Sequence, residues 1–124
     1  MDKYEISKRI EEFAPLETAE SWDASGWVID NQNSNDIAKV MLCLTPTEDV
    51  FQQALQERCD MVVSHHPMFY LSLFSSALSE DFQPRLNVYS AHTNMDKANG
   101  GTTDTIIKTL GLEENKVDIE HDFL

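Results

Sequence analysis

Asp60-Met61-Val62-Val63-Ser64-His65-His66-Pro67 is an apolar run of strand length that ends in a serine, two histidines and a proline. A short continuous apolar segment bounded by turn formers predicts a strand buried within a sheet. Pro67 confines His66 to extended backbone, so the chain turns just where the two imidazoles stand. Upstream, Lys39 to Thr45 contains Val40-Met41-Leu42-Cys43-Leu44 and predicts another strand, buried on both faces. Between the two lies a helix from about Thr47 to about Arg58. Thr47 is suited to its N-cap, Glu48 and Asp49 favour the positive end of the helix dipole, and Val50, Phe51, Ala54 and Leu55 make its apolar stripe. Strand, helix and strand within about 25 residues make a right-handed βαβ unit.

The flanks agree with that unit. Leu86 to Ala91 predicts a third strand, and Trp27-Val28-Ile29 a short one inside the irregular polar stretch 17–36. Near the start, Tyr4, Ile6, Ile10, Phe13 and Ala14 mark the apolar face of a helix whose other face carries Glu5, Lys8, Arg9, Glu11 and Glu12. Pro15 closes it. A last helical stretch begins at Gly100-Gly101-Thr102-Thr103-Asp104 and stops at Gly111. The expected fold class is α/β, a mostly parallel sheet with flanking helices, without internal repeats. Phe69, Tyr70, Leu71, Leu73 and Phe74 are expected in the core or at a subunit interface.

The 124 residues hold 22 Asp+Glu against 9 Lys+Arg, a net charge of −13, with 41% hydrophobic and 25% charged residues. This is the composition of one globular domain. The acidic balance argues against nucleic acid and anionic lipid as partners, both of which need clustered cations. The longest apolar run is five residues, so no membrane span is expected, and the first residues carry no signal-peptide pattern. Cys43 and Cys59, without CxxC spacing, are expected as reduced thiols of a cytoplasmic protein.

Functional groups of parallel sheets collect at the carboxyl ends of the strands. The second apolar strand ends in His65-His66, and the third in His92-Thr93-Asn94-Met95-Asp96, so three of the four histidines follow buried strands in one layer. His121, in the acidic tail, reads as solvated surface. Two imidazoles at a turning strand end diverge modestly and address a shared pocket. Imidazole suits Zn, Fe, Ni and Cu, and a carboxylate such as Asp96 suits Mn as well and is able to bridge two ions. A His and an Asp after a strand serve equally as a cap or a hydrogen-bonded turn, and spacing alone leaves both readings open. Asn99-Gly100-Gly101 before Thr102 fits an anion site at a helix N-terminus, or more simply a glycine turn followed by a Thr cap. Asp23, after Trp22 in a polar loop, fits a turn cap. No phosphate-binding Gly-x-x-x-x-Gly-Lys loop, nucleophile elbow or dinucleotide fingerprint is present.

Trp22-Asp23-Ala24-Ser25-Gly26, the Ser64-His65-His66-Pro67 strand end, Tyr89-Ser90-Ala91-His92-Thr93-Asn94-Met95-Asp96, Gly100-Gly101 and Leu110-Gly111-Leu112 together resemble the NIF-three-like dinuclear-metal family. Its members are also labelled GTP cyclohydrolase I type 2 homologues. The resemblance implies two similar α/β lobes around a site for two metal ions, assembled as a toroidal homohexamer. It assigns His65 and His66 one to each ion and Asp96 as a carboxylate ligand. His92 becomes a lesser ligand or supporting group, and Asn94 and Asp23 become residues that orient the ligands.

The family pattern ends its site with a His-x-x-x-Glu pair, which residues 1–124 do not contain. The segment between Pro67 and Leu86 is shorter than the pattern, and Thr45 stands where many relatives carry Asp. The expectation is therefore a single α/β lobe over residues 1–124, the N-terminal part of the longer pattern, whose metal site is incomplete within this chain. Its cofactor is a divalent transition metal (Zn, Fe, Mn or Ni), two ions in the intact site. The expected function is metal-dependent, hydrolase-like chemistry on a small molecule. The alternative is a non-catalytic assembly or regulatory module of the same fold. No guanine-reading or triphosphate-clamping set is visible in these residues.

Overall fold

The computed structural model describes residues 1–32, 35–68 and 86–115. In chain order these form α1 (Lys3–Phe13), β1 (Gly26–Ile29), β2 (Val40–Cys43), α2 (Glu48–Gln56), β3 (Met61–Ser64), β4 (Asn87–Ser90), α3 (Thr93–Lys97) and α4 (Thr102–Thr109). Short 3-10 turns at Leu16–Thr18 and Glu113–Asn115 complete the list. The two apolar runs around α2 pair in parallel, Val40 opposite Met61 through Cys43 opposite Ser64. β4 adds on the other side of β3, also parallel, with Met61 opposite Asn87 and Ser64 opposite Ser90. β1 closes the far edge antiparallel, giving the order β1-β4-β3-β2. The mostly parallel α/β reading is what the structure shows. Phe69 to Phe74 and His121 lie outside the described residues.

Alternation along the strands separates two cores. Val62 and Val88 face α2 and pack with Phe51, Ala54, Cys59 and Leu86. Met61 and Tyr89 face α1 and pack with Ile37 and Ala91, against Ile6, Ile10 and Trp27. Thr47 caps α2 as predicted, its hydroxyl accepting from the Val50 N–H. Among the described residues, no helix is long and apolar enough to cross a membrane.

Three expectations need correction. β2 is not buried on both faces: it is an edge strand, with Leu42 75% and Leu44 65% exposed. A continuous apolar run marks a strand without saying whether a neighbour lies on each side. Beside it, Ile6, Ile10, Ile37, Val40 and Leu42 line an apolar hollow where α1 leaves the sheet uncovered. The inward face of α1 is the expected one at Ile6, Ile10 and Ala14 but not at its edges, since Tyr4 and Phe13 are exposed while Lys3 and Ser7 are buried. The post-strand segment after His92 is helical, as the one-turn α3. Finally, α4 starts on Gly101 rather than on a Thr cap. Gly100 (φ +76°) donates its N–H to Asp104 Oδ2 at 2.8 Å, so the chain's own carboxylate occupies this helix start and the turn reading holds. A Cβ on Gly101 would lie 2.0 Å from the Met95 carbonyl oxygen, which is why only glycine fits there.

Lys3 is fully buried yet satisfied. Its ammonium donates to the Asn31 carbonyl at 2.5 Å and to Asn87 Oδ1 at 3.3 Å, and it pairs with Asp30 at 2.6 Å. The rings of Tyr4 and Trp27 lie 5.0 and 5.8 Å away, within cation–π range. The aliphatic stem of Lys3 thereby serves as core while its charge joins α1, the end of β1 and the start of β4. Asp30 is held below its ordinary pKa, chiefly by the hydrogen bond from Lys3.

α2 ends in a Schellman motif, with Arg58 N–H bonded to the Leu55 carbonyl and Cys59 N–H to the Ala54 carbonyl. α4 ends the same way around Gly111. At the equivalent place in α2 a side-chain-bearing residue, Arg58, adopts φ 55°.

Two outcomes follow. Lys3→Met keeps the packing but leaves Asn31 and Asn87 short of a donor, and urea unfolding should show a loss of about 1–3 kcal/mol. Because the Asp30 pKa is lower in the folded state, its contribution is present above about pH 4 and is lost as the pH falls through the folded value. Lys3→Met should flatten this acid limb of stability. Arg58→Gly should raise stability by about 0.5–1 kcal/mol in the same measurement, by removing the left-handed penalty.

Candidate metal centre

The level at which β3 and β4 end fixes the site. Ser64 and Ser90 are paired residues, and their hydroxyls bond at 2.8 Å inside the sheet. The residues that follow leave the two strands side by side. His65 N–H and His66 N–H continue the β2 ladder onto the Cys43 and Leu44 carbonyls, and Ser64 Oγ donates to the His66 carbonyl at 2.8 Å. This turn breaks the strand alternation and places both rings on one side, with centroids 5.2 Å apart. His92 stands at the start of α3, with its ring centroid 5.1 Å from His65 and 5.7 Å from His66. One ring nitrogen from each of the three lies within 4.8 Å of the other two. Asp96, one helical turn after His92, meets the cluster at His65, with Oδ1 3.4 Å from Nε2.

Each imidazole has its Nδ1 held by a different group. His65 Nδ1 lies 3.0 Å from the Ala91 carbonyl, His66 Nδ1 2.8 Å from Thr45 Oγ1, and His92 Nδ1 2.9 Å from Asp23 Oδ1. A carbonyl and a carboxylate only accept, so the proton of His65 and of His92 is assigned to Nδ1. The Nε2 of His65 then faces the Asp96 carboxylate. A proton or a metal ion at Nε2 satisfies both groups. The donor set, three imidazoles with oriented outer nitrogens plus a carboxylate, fits a divalent transition metal.

Asp23 is the anchor of the loop behind His92. Its enclosed carboxylate receives the Thr93 backbone N–H at 3.0 Å, the Thr93 hydroxyl at 2.5 Å, the Ser25 hydroxyl at 2.6 Å and His92. Burial pushes this carboxyl up, and the donors of Ser25, Thr93 and His92 outweigh it, holding the group well below the ordinary carboxylate range. Asn94, fully buried, donates to the Ala14 carbonyl at 2.8 Å and joins α3 to the end of α1. The structure thus brings together His65, His66, His92 and Asp96, with Asp23 and Asn94 behind them.

Sequence reasoning did not assign Thr45, Ser25, Thr93 or the Ala91 carbonyl a part in orienting the site. The three side chains are short hydroxyls beside suspected ligands or their supports, a weak signal. A backbone carbonyl leaves none.

Fold and site together define an α/β chain with a histidine-rich, metal-suited cluster at the carboxyl ends of its parallel strands. The family model described as Duf34/NIF3 (NGG1p interacting factor 3) matches residues 1–121, and the chain belongs to this family. A GTP cyclohydrolase 1 type 2 homolog of Clostridium acetobutylicum is 28% identical over 116 residues, which cover 87% of this chain and 43% of that protein. The NIF3-like protein 1 of Dictyostelium discoideum is 30% identical, over 86% of this chain and 33% of its own. Among solved structures, reduced HcgD from Methanocaldococcus jannaschii superposes with a TM-score of 0.76 at 31% identity, covering 91% of this chain and 48% of that one. A Bacillus cereus protein related to NIF3 gives 0.73 at 27%, covering 90% and 33%. The chain spans less than half the length of these relatives.

Asp23→Ala removes the acceptor shared by Thr93, Ser25 and His92. Chemical denaturation should show a loss of about 2–4 kcal/mol. A loss below about 0.5 kcal/mol would show that the loop is held by something else.

Proposed function

We propose that His65, His66, His92 and Asp96 hold divalent transition metal as part of a two-ion centre, used for hydrolytic chemistry on a small-molecule substrate. The observation that carries this is the convergence of His65, His66 and His92, one ring nitrogen of each within 4.8 Å of the other two, with Asp96 Oδ1 3.4 Å from His65 Nε2. The family and the names of its relatives support the same reading. When bound, a divalent ion supplies Lewis acidity and a nucleophile available near neutral pH. The chain's own residues do the rest. Ala91, Thr45 and Asp23 fix the three ring orientations, and the Ser64–Ser90 pair holds the two ligand-bearing turns at one level. Asp96 contributes the negative charge that offsets the metal. The proposed assembly is a homo-oligomer, the hexamer implied by the family resemblance, with no nucleic acid partner.

A second reading, a non-catalytic docking module, draws support from the exposed Leu42 and Leu44 beside the apolar hollow.

Equilibrium dialysis against Zn²⁺ or Mn²⁺ with elemental analysis tests the metal. At least about one equivalent is expected, with affinity lowered about tenfold or more by His65→Ala. Less than about a tenth of an equivalent, unchanged by His65→Ala, would overturn the proposal. Metal-dependent turnover of a phosphoester or nucleotide that Asp96→Ala abolishes would exclude the docking module.

A further inference from the structure

Trp22 is one of two tryptophans in the chain, and the two are used in opposite ways. Trp27 is built into the core by edge contacts with Tyr4 and Tyr89, at centroid distances of 5.7 and 5.3 Å. Trp22 is 62% exposed and touches the site, its ring centroid 6.3 Å from that of His92 at an interplanar angle of 77°. An indole with this exposure leaves a large flat apolar surface open to solvent beside three imidazoles.

The backbone that carries Trp22 is held on both sides. Asp23 N–H bonds the Glu20 carbonyl at 2.9 Å, and Glu20 N–H bonds Thr93 Oγ1 at 2.9 Å. The Asp23 carboxylate is fixed by Thr93 and by His92 itself. The backbone beneath the ring is thus held by the same anchor that orients His92, which keeps Trp22 beside that imidazole. A single exposed apolar side chain on a surface needs no explanation. One pre-organised against a metal-suited pocket, at no gain in core packing, is suited to contact with something that enters that pocket.

The surrounding charge narrows the class. Asp96 lies in the pocket, and Lys97, on the same helix, is committed to Glu20. With a net charge of −13, the described residues here offer little to a polyanion beyond the metal itself.

We infer that Trp22 is the stacking wall of the ligand site, selecting a planar aromatic or heteroaromatic molecule that presents one weakly charged oxyanion to the metal. The inference rests on the proposed metal centre and adds the shape and charge of what that centre receives. Base-like rings stacked on an aromatic side chain lose roughly 5- to 150-fold in affinity when it is removed.

The test uses the zinc-loaded full chain and titration calorimetry with two carboxylates of one skeleton, flat 2-naphthoate and its saturated, puckered decahydro analogue. The flat acid should bind about tenfold tighter or more. Trp22→Ala should remove that preference, Trp22→Phe should keep most of it, and His65→Ala should weaken both acids together. Both Trp22 variants should keep the wild-type melting temperature, since the side chain is largely exposed. Equal binding of the two acids, or a preference that survives Trp22→Ala, would overturn the stacking role while leaving the metal centre in place. Naphthoate binding left undiminished by His65→Ala would place the ring's ligand away from the metal and overturn it too. A chain that takes up no zinc would overturn the metal centre and this inference with it.

Discussion

The in-register pairing of β3 with β4 is the constraint from which the rest of the molecule follows. Parallel strands in a sheet lie about 4.8 Å apart. With Ser64 opposite Ser90, the chain leaves both strands at the same height, and the first imidazoles beyond them stand 5.1 Å apart. A slip of one residue would turn either Val62 or Val88 away from α2 and separate His65 from His92. The buried Ser64–Ser90 hydroxyl bond marks the register at the edge of the site, where an apolar pair would pack in more than one way. Fold and pocket therefore share a determinant: the alternation that fills two cores also decides which side chains reach the strand ends together.

Much of this was legible in the amino-acid sequence, and the reasons are particular. The apolar runs around Val40 and Val62, with the capped stripe Thr47–Leu55 between them, admit little besides a βαβ unit. His65, His66, His92 and Asp96 stood out because they followed strands already identified. Lys3 was not legible, because a lysine is assigned to solvent unless something reveals Asn31, Asn87, Tyr4 and Trp27 around it. Three of these partners lie 24 or more residues away. The exposure of Leu42 was equally hidden, since hydrophobicity reports affinity for a core and not the presence of a neighbouring strand. The Ala91 carbonyl, which fixes the orientation of His65, is backbone and has no sequence signature.

The three imidazoles form a site of like residues made unlike by their supports. A carbonyl holds His65, a carboxylate holds His92 and a hydroxyl holds His66. The carboxylate draws positive character onto its ring and strengthens the opposite nitrogen as a donor. The hydroxyl of Thr45 both donates and accepts, so His66 is the one ring whose tautomer its neighbour does not dictate.

The contacts that build the pocket are almost all distant in sequence. His66 and Thr45 are 21 residues apart, His65 and Ala91 26, and His92 and Asp23 69. None of these groups meets in a locally ordered chain, so the complete pocket is a property of the fully folded state alone. Occupancy of such a pocket is thermodynamically inseparable from folding: a ligand at a hundred times its dissociation constant adds about 2.7 kcal/mol to the native state and nothing to the unfolded one. The loop that carries Asp23, joined to His92 across 69 residues, ties occupancy of that pocket to the integrity of the whole fold.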